Sequence, residues 1–174
     1  MDKKIEGIIQ IIIAIGVVAL ILYFASDIEK LREYGYLGVF LISLIASATL
    51  FFPAPGWAAV IAMSGFLNPV YLGLAAGIGS ALGELTGYVA GKGARDLLSK
   101  NIKESKKIER LVEKYDMLAI FFFAFIPNPL FDIAGIISGG LKIPWWKYLI
   151  ACSLGRILRY SLLAYFGKLT LDLV

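Results

Sequence analysis

Four ionisable residues stand inside otherwise apolar segments of this sequence: Glu84, Asp132, Arg156 and Arg159. If these segments are membrane helices, each charge costs about 2.5–3.5 kcal/mol near the helix centre. Because the four formal charges sum to zero, we expect them to neutralise one another inside a helix bundle. Two roles stay open: a static ion pair that holds two helices together, or a polar pathway for a lipid headgroup or a proton.

The sequence lacks the residues of several common active sites. It contains no His and a single Cys, Cys152, which excludes a His-based catalytic triad, a Cys/His zinc site and an intrachain disulfide bond. The G-x-x-x-x-G-K-[ST] motif that binds nucleotide phosphates is also missing. We therefore expect no enzymatic activity, no metal and no cofactor.

The composition excludes a soluble globular protein. Of the 174 residues, 59% are hydrophobic and 17% are charged, and the mean hydropathy is +0.80. Soluble domains carry about 25% charged residues, and about a third of the surface of an unfolded chain of this size stays in water after folding. We expect a single all-α polytopic membrane domain over residues 1–174.

Two apolar runs, 37–67 and 117–141, are interrupted by proline-rich breaks. The breaks contain Pro53 and Pro55 in the first run and Pro127, Asn128 and Pro129 in the second. The segments beside each break are too short to cross a hydrocarbon core of about 30 Å. Kinked spanning helices are one interpretation, but we favour two opposed re-entrant helical hairpins, because broken backbone at membrane depth must be sheltered from lipid. Asn128 would cap a half-helix whose first turn holds Asp132.

The rest of the chain supplies about three full transmembrane helices and two charged segments. They are a transmembrane helix at 8–25, an interfacial helix at 27–36, a transmembrane helix at 70–91, a cytoplasmic charged loop at 92–116, and a transmembrane helix at 145–166 with Trp145, Trp146 and Tyr148 as interfacial aromatic residues. This topology places twelve basic residues inside the cell and three outside, as the positive-inside rule requires. The N-terminus is then inside and the C-terminus outside, and the basic loop needs no nucleic-acid partner.

The two broken runs resemble each other. A shift of 74 residues aligns Phe51, Pro53, Pro55, Ser64, Gly65 and Leu67 with Phe125, Pro127, Pro129, Ser138, Gly139 and Leu141. A shift of 72 residues aligns Glu84 with Arg156. Because the copies would enter the membrane from opposite sides, we predict an inverted repeat, as in many transporters. Half-helix N-termini near the midplane suit a phosphate, and we assign Gly83, Gly87 and Gly155 to close helix packing.

A ten-residue stretch points to a known family. Residues 126–135 read I-P-N-P-L-F-D-I-A-G, with Gly155-Arg156 downstream and Gly83-Glu84 and Gly87-Tyr88 upstream. This pattern resembles the DedA superfamily, also known as the VTT-domain or SNARE-associated Golgi proteins, and is most similar to its vacuole membrane protein branch. The resemblance covers residues 37–168. The chain departs from the bacterial DedA pattern at Trp57, where those proteins carry an acidic residue, and at Ala124 and Leu130, where they carry Arg.

The resemblance implies movement of lipids between membrane leaflets: polyprenyl phosphates in bacterial members and phospholipids in eukaryotic ones. We expect an energy-independent scramblase in a prokaryotic plasma membrane, with membrane lipids and their phosphate headgroups as partners. A small proton-coupled transporter of an anion or other solute is the alternative, and a membrane scaffold or assembly factor is the third hypothesis. The sequence leaves open whether the chain forms a homo-oligomer.

The re-entrant topology makes a direct prediction about accessibility. If the second hairpin returns to the side it left, single cysteines at Ser105 and Lys142, in a Cys152→Ser background, will react with an impermeant thiol reagent from the same side of the membrane. Reaction from opposite sides would mean that the segment 117–141 crosses the membrane.

Overall fold

A computed structural model describes residues 28–48, 56–98, 103–127 and 131–171. Within these ranges the chain is all-helical, as expected, and contains no strand. The helices, in chain order, are α1 (Ile28–Ala48), α2 (Gly56–Ser64), α3 (Pro69–Gly83), α4 (Leu85–Leu98), α5 (Lys103–Tyr115), α6 (Met117–Phe125), α7 (Phe131–Gly140) and α8 (Trp145–Leu171). The predicted helix at 8–25 and the break residues Pro53, Pro55, Asn128 and Pro129 lie outside the described residues.

The longest helix, α8, organises the others. It packs along α3 and also contacts α2 and α6, while α1 packs on α3 and α4 packs on α7. At 27 residues it is the one helix in the described ranges that is long and apolar enough to cross a membrane. It contains the predicted helix 145–166 and continues to Leu171.

The predicted helix 70–91 corresponds to α3 and the first part of α4, which meet at a single turn residue, Glu84. Backbone hydrogen bonds continue through the joint, since Glu84 N donates to Ser80 O at 3.0 Å and Tyr88 N donates to Glu84 O at 3.2 Å. The Thr86 hydroxyl donates to the carbonyls of Gly83 (3.0 Å) and Ala48 (3.1 Å). The Thr86 hydroxyl therefore links the joint to the end of α1.

The charged segment 92–116, predicted as a cytoplasmic loop, is helical over its described residues 92–98 and 103–115. It forms the end of α4 and the whole of α5, whose apolar face buries Ile108 and Val112 against Ala134 of α7. The physical reason is visible in the sequence: Ile108, Val112 and Tyr115 recur at helical spacing among the charges. A stripe of this kind gives a helix that packs on one side and exposes charge on the other.

The first hairpin also differs from expectation. Helix α1 runs unbroken from Ile28 to Ala48, so the predicted boundary between an interfacial helix (27–36) and the hairpin arm is wrong. Its 21 residues span about 31 Å at about 1.5 Å per residue. By contrast, α2 and α6 have nine residues each and α7 has ten, which gives lengths of about 14–15 Å.

The packing places small and polar residues inside and large apolar residues outside. Buried positions include many alanines, together with Ser43, Ser64, Ser80 and Ser138. Exposed large side chains occur along α8 at Leu154, Leu158, Leu162, Tyr165, Phe166 and Leu169. Contiguous exposed apolar surface marks a membrane or protein contact, and small interior residues are typical of helix packing within a bilayer.

Glycines set the distances between helices. A Cβ at Gly77 of α3 would lie 2.6 Å from Ile157 Cα of α8, and one at Gly155 would lie 2.6 Å from Phe121 O of α6. A Cβ at Gly83 would lie 2.8 Å from Ala48 N of α1. Gly87, the third glycine assigned to packing, is buried. Backbone atoms therefore touch where a side chain would otherwise keep the helices apart.

This packing predicts opposite effects for two Gly→Ala substitutions. Gly77→Ala will destabilise the protein by about 1–3 kcal/mol, because the new methyl group overlaps the α8 backbone. Gly38→Ala is the matched control, since nothing lies within 4 Å of its Cβ, and it will stabilise α1 by up to about 1 kcal/mol through helix propensity. Thermal unfolding in detergent measures both, and equal effects would contradict the close packing.

Candidate functional site

A buried ion pair joins the α3–α4 joint to the middle of α8. Arg156 Nη2 donates to Glu84 Oε1 at 2.5 Å. The two residues are 7% and 6% exposed, respectively. Removing one partner of a buried pair costs about 3–5 kcal/mol, because the other charge is left uncompensated. The ion pair therefore joins the two aligned positions of the sequence repeat, Glu84 and Arg156.

The first turn of α7 lies beside this pair. The Arg156 guanidinium carbon lies 4.5 Å from the centroid of the Phe131 ring, and Phe131 is the first residue of α7. Within the described part of the chain, Arg156 Nε is buried and has no hydrogen-bond partner. A buried N–H donor without a partner is uncommon and calls for an explanation.

The other two sequence-predicted site residues are more exposed than this pair. Asp132 is exposed in the first turn of α7, and Arg159 is partly buried one turn beyond Arg156. The carboxyl group of Glu84 interacts electrostatically with both, as well as with Arg156. Asp132 and Arg159 thus lie within electrostatic range of the buried ion pair, and the four residues are called the charge cluster.

Sequence reasoning missed the aromatic part of this region. Tyr148, expected as an interfacial residue beside Trp145 and Trp146, is instead fully buried, whereas the two Trp residues are exposed. Its ring stacks on Tyr88 at 5.1 Å, and its hydroxyl has no partner among the described residues. The spacing of four residues from Tyr148 to Cys152 and from there to Arg156 was the available signal, because it places all three on one face of α8.

The described residues contain no group of three or more His, Cys, Asp or Glu that could hold a metal ion. Cys152 is buried and is not in a disulfide.

The sequence model of the VTT domain matches residues 52–169. This chain belongs to the VTT domain family. The family relationship confirms the resemblance to the DedA and VTT superfamily, in its vacuole membrane protein branch, and with it a membrane protein of the DedA type. No solved structure matches the chain.

Relatives were found in eukaryotes and archaea. The chain is 35% identical over 106 residues to "Vacuole membrane protein 1 homolog" of Dictyostelium discoideum, covering 46% of this chain and 26% of that protein. It is 31% identical over 102 residues to "Vacuole membrane protein 1" of Homo sapiens, covering 46% and 25%. An uncharacterized protein of Methanocaldococcus jannaschii is 29% identical over 142 residues, covering 78% and 85%. The chain thus spans about a quarter of the length of the vacuole membrane proteins it matches.

The ion pair predicts a charge-swap rescue. Glu84→Gln or Arg156→Gln will lower the unfolding temperature in detergent, because each strands one buried charge. The double swap Glu84→Arg with Arg156→Glu will recover part of that loss, since it restores opposite charges at the same two positions. If the losses simply add in the double swap, the two side chains do not stabilise each other.

Proposed function

We propose that this protein lets lipids with a phosphate headgroup, phospholipids or polyprenyl phosphates, pass between the leaflets of a membrane without an energy source. The observation that carries the proposal is the buried ion pair of Glu84 and Arg156, with Asp132 and Arg159 within electrostatic range of Glu84. These charges belong to a protein whose surface is rich in large apolar side chains. The proposal makes membrane lipids the partners and includes no catalytic step.

The chemistry of the cluster suits a phosphate. Arg156 Nε, which has no partner among the described residues, lies close to the first residue of α7, and the N-terminus of a helix favours an anion. Arg159 adds a second cation closer to the surface. The lipid tails would stay among the exposed apolar side chains while the headgroup follows the charges. Such passage runs downhill and needs neither ATP nor a gradient.

The helix packing supports the inverted repeat that this pathway assumes. By the sequence alignment α2 corresponds to α7, and α3 with α4 corresponds to α8. The helix contacts follow the same correspondence. Helix α1 packs on α3 in one half, and α6 packs on α8 in the other. Likewise α2 packs on α8, and α7 packs on α4. The short helices α2, α6 and α7 are the half-helices of two re-entrant hairpins in this proposal, which keeps the N-terminus inside the cell and the C-terminus outside.

One observation favours the second candidate, a proton-coupled solute transporter. The carboxyl groups of Glu84 and Asp132 lie within electrostatic range of each other, and two nearby carboxyls can share a proton. Glu84 is the more buried of the two and already faces Arg156, which favours lipid passage over proton exchange. A membrane scaffold is the third candidate and requires no such cluster.

Scrambling in reconstituted vesicles tests the proposal. Purified protein in liposomes with fluorescent phospholipid will make close to all of the label accessible to an impermeant quencher, against about half in empty vesicles. Arg159→Gln will slow this exchange, because it removes the cation that is partly open to a headgroup. Lys168→Gln, an exposed cation on the same helix, is the matched control and will leave the rate unchanged.

The unfolding temperatures of the variants distinguish a loss of lipid exchange from a loss of folding. Arg159→Gln will shift the unfolding temperature no more than Lys168→Gln does. If a folded preparation leaves the accessible fraction at the empty-vesicle level for several headgroups, the scramblase proposal fails and the solute transporter takes its place.

A further inference from the structure

Helices α5 and α6 enclose an open groove of about 600 Å³ that is separate from the charge cluster. Its walls are apolar or aromatic and include Leu111 and Tyr115 from α5 and Leu118, Ala119 and Phe122 from α6. Its volume lies within the range of about 300–1,000 Å³ found for small-molecule sites. We propose that this groove binds an acyl chain of an anionic phospholipid whose headgroup rests on Lys114.

The groove is held open by contacts outside its own walls. Asp116, between α5 and α6, has a φ of 44°, which turns the chain sharply between the two helices. Its Oδ2 accepts a hydrogen bond from Lys147 Nζ at 2.7 Å, which fixes the turn to the start of α8. On the far side, Ile108 and Val112 anchor α5 to α7. The cavity is therefore preformed, which lowers the cost of binding a flexible chain.

The charges of α5 are complementary to an anionic headgroup at the groove. Lys114 Nζ lies 5.0 Å from the centroid of the Tyr115 ring, which lines the groove, and Lys114 is exposed. The acidic residues Glu109 and Glu113 stand two positions from Leu111 and Tyr115, and helix residues two apart do not share a face. Lys114 is three residues from Leu111 and so lies towards the groove, whereas Glu109 and Glu113 lie on other faces of α5. Asp116 is already paired with Lys147.

A lipid tail fits this groove better than a second copy of the chain does. The wall residues Leu118 and Phe122 are 62% and 54% exposed and belong to α6, a helix made only of apolar residues. A stable protein interface engages about 20–30 residues on each side, far more than the groove offers. A single hydrocarbon chain needs no more than the groove itself.

Photolabelling in vesicles tests this inference, which stands whether or not lipids cross the membrane. Vesicles of phosphatidylglycerol and phosphatidylcholine in equal parts would carry a trace of either lipid with a diazirine in its acyl chain. We expect label from the phosphatidylglycerol probe to concentrate on residues 111–126. Even labelling of this segment and of the exposed face of α8 would overturn the inference.

Two sets of variants separate the tail from the headgroup. Leu118→Ser with Phe122→Ser will lower labelling of 111–126 by about tenfold, because it removes much of the apolar wall. Leu158→Ser with Leu162→Ser, exposed positions on α8, is the matched control and will leave it unchanged. Lys114→Gln will reduce the preference for phosphatidylglycerol over phosphatidylcholine by about fivefold, while labelling by the phosphatidylcholine probe persists.

Thermal unfolding of each variant is measured first, so that labelling is compared only among folded variants.

The substitution Phe122→Cys in the Cys152→Ser background tests the competing occupant, a second copy of the chain. Efficient disulfide crosslinking between copies in the same vesicles would show that the groove is a protein interface and would overturn the lipid assignment, whereas its absence together with labelled 111–126 supports it.

Discussion

The need to compensate charge inside an apolar bundle governs this structure. Glu84 and Arg156 are both buried, and their side chains are 2.5 Å apart. If either side chain moved away, the charge of the other would remain buried without a partner. That requirement fixes the α3–α4 joint against the midpoint of α8. The first turn of α7 then meets the Arg156 guanidinium through Phe131. The ion pair and the start of α7 therefore meet at the same side chain, Arg156.

Close packing makes that interaction sterically feasible. The Arg156 side chain occupies space in the interior of the bundle. The neighbouring helix contacts are made by glycines, which have almost no side chain and therefore leave room for it. At Gly77 and Gly155 the helices approach backbone to backbone, which shortens the distance across the bundle. The buried serines add local satisfaction: Ser47 and Ser80 hydroxyls lie 2.7 Å apart between α1 and α3. The interior thus combines small side chains with some hydrogen-bonded polar groups, as is typical of helices in lipid, whereas Arg156 Nε and the Tyr148 hydroxyl have no partner among the described residues.

Much of the site could be predicted from the sequence, because charge in an apolar run has few explanations and because the repeat aligned Glu84 with Arg156. The all-helical fold followed from composition. The joint at Glu84 was missed, and so was the hydrogen bond from Thr86 to Ala48 of another helix, because no local pattern contains that contact. Helix α5 was missed because its many charges concealed a narrow apolar stripe. Tyr148 was misplaced because an aromatic residue near a helix start is typical of both an interface and a core.

The glycine contacts have a consequence at the level of the genetic code. Every missense change of a single nucleotide in a glycine codon introduces a side chain with a Cβ atom. At Gly77, Gly83 and Gly155 that atom has no space, because backbone from another helix already occupies it. The exposed Leu and Phe positions of α8, by contrast, exchange with other apolar residues through single-nucleotide steps at little cost in packing. Mutational drift in this chain is therefore directed to its exposed apolar positions, while the glycines at these three helix contacts are among the residues least free to change.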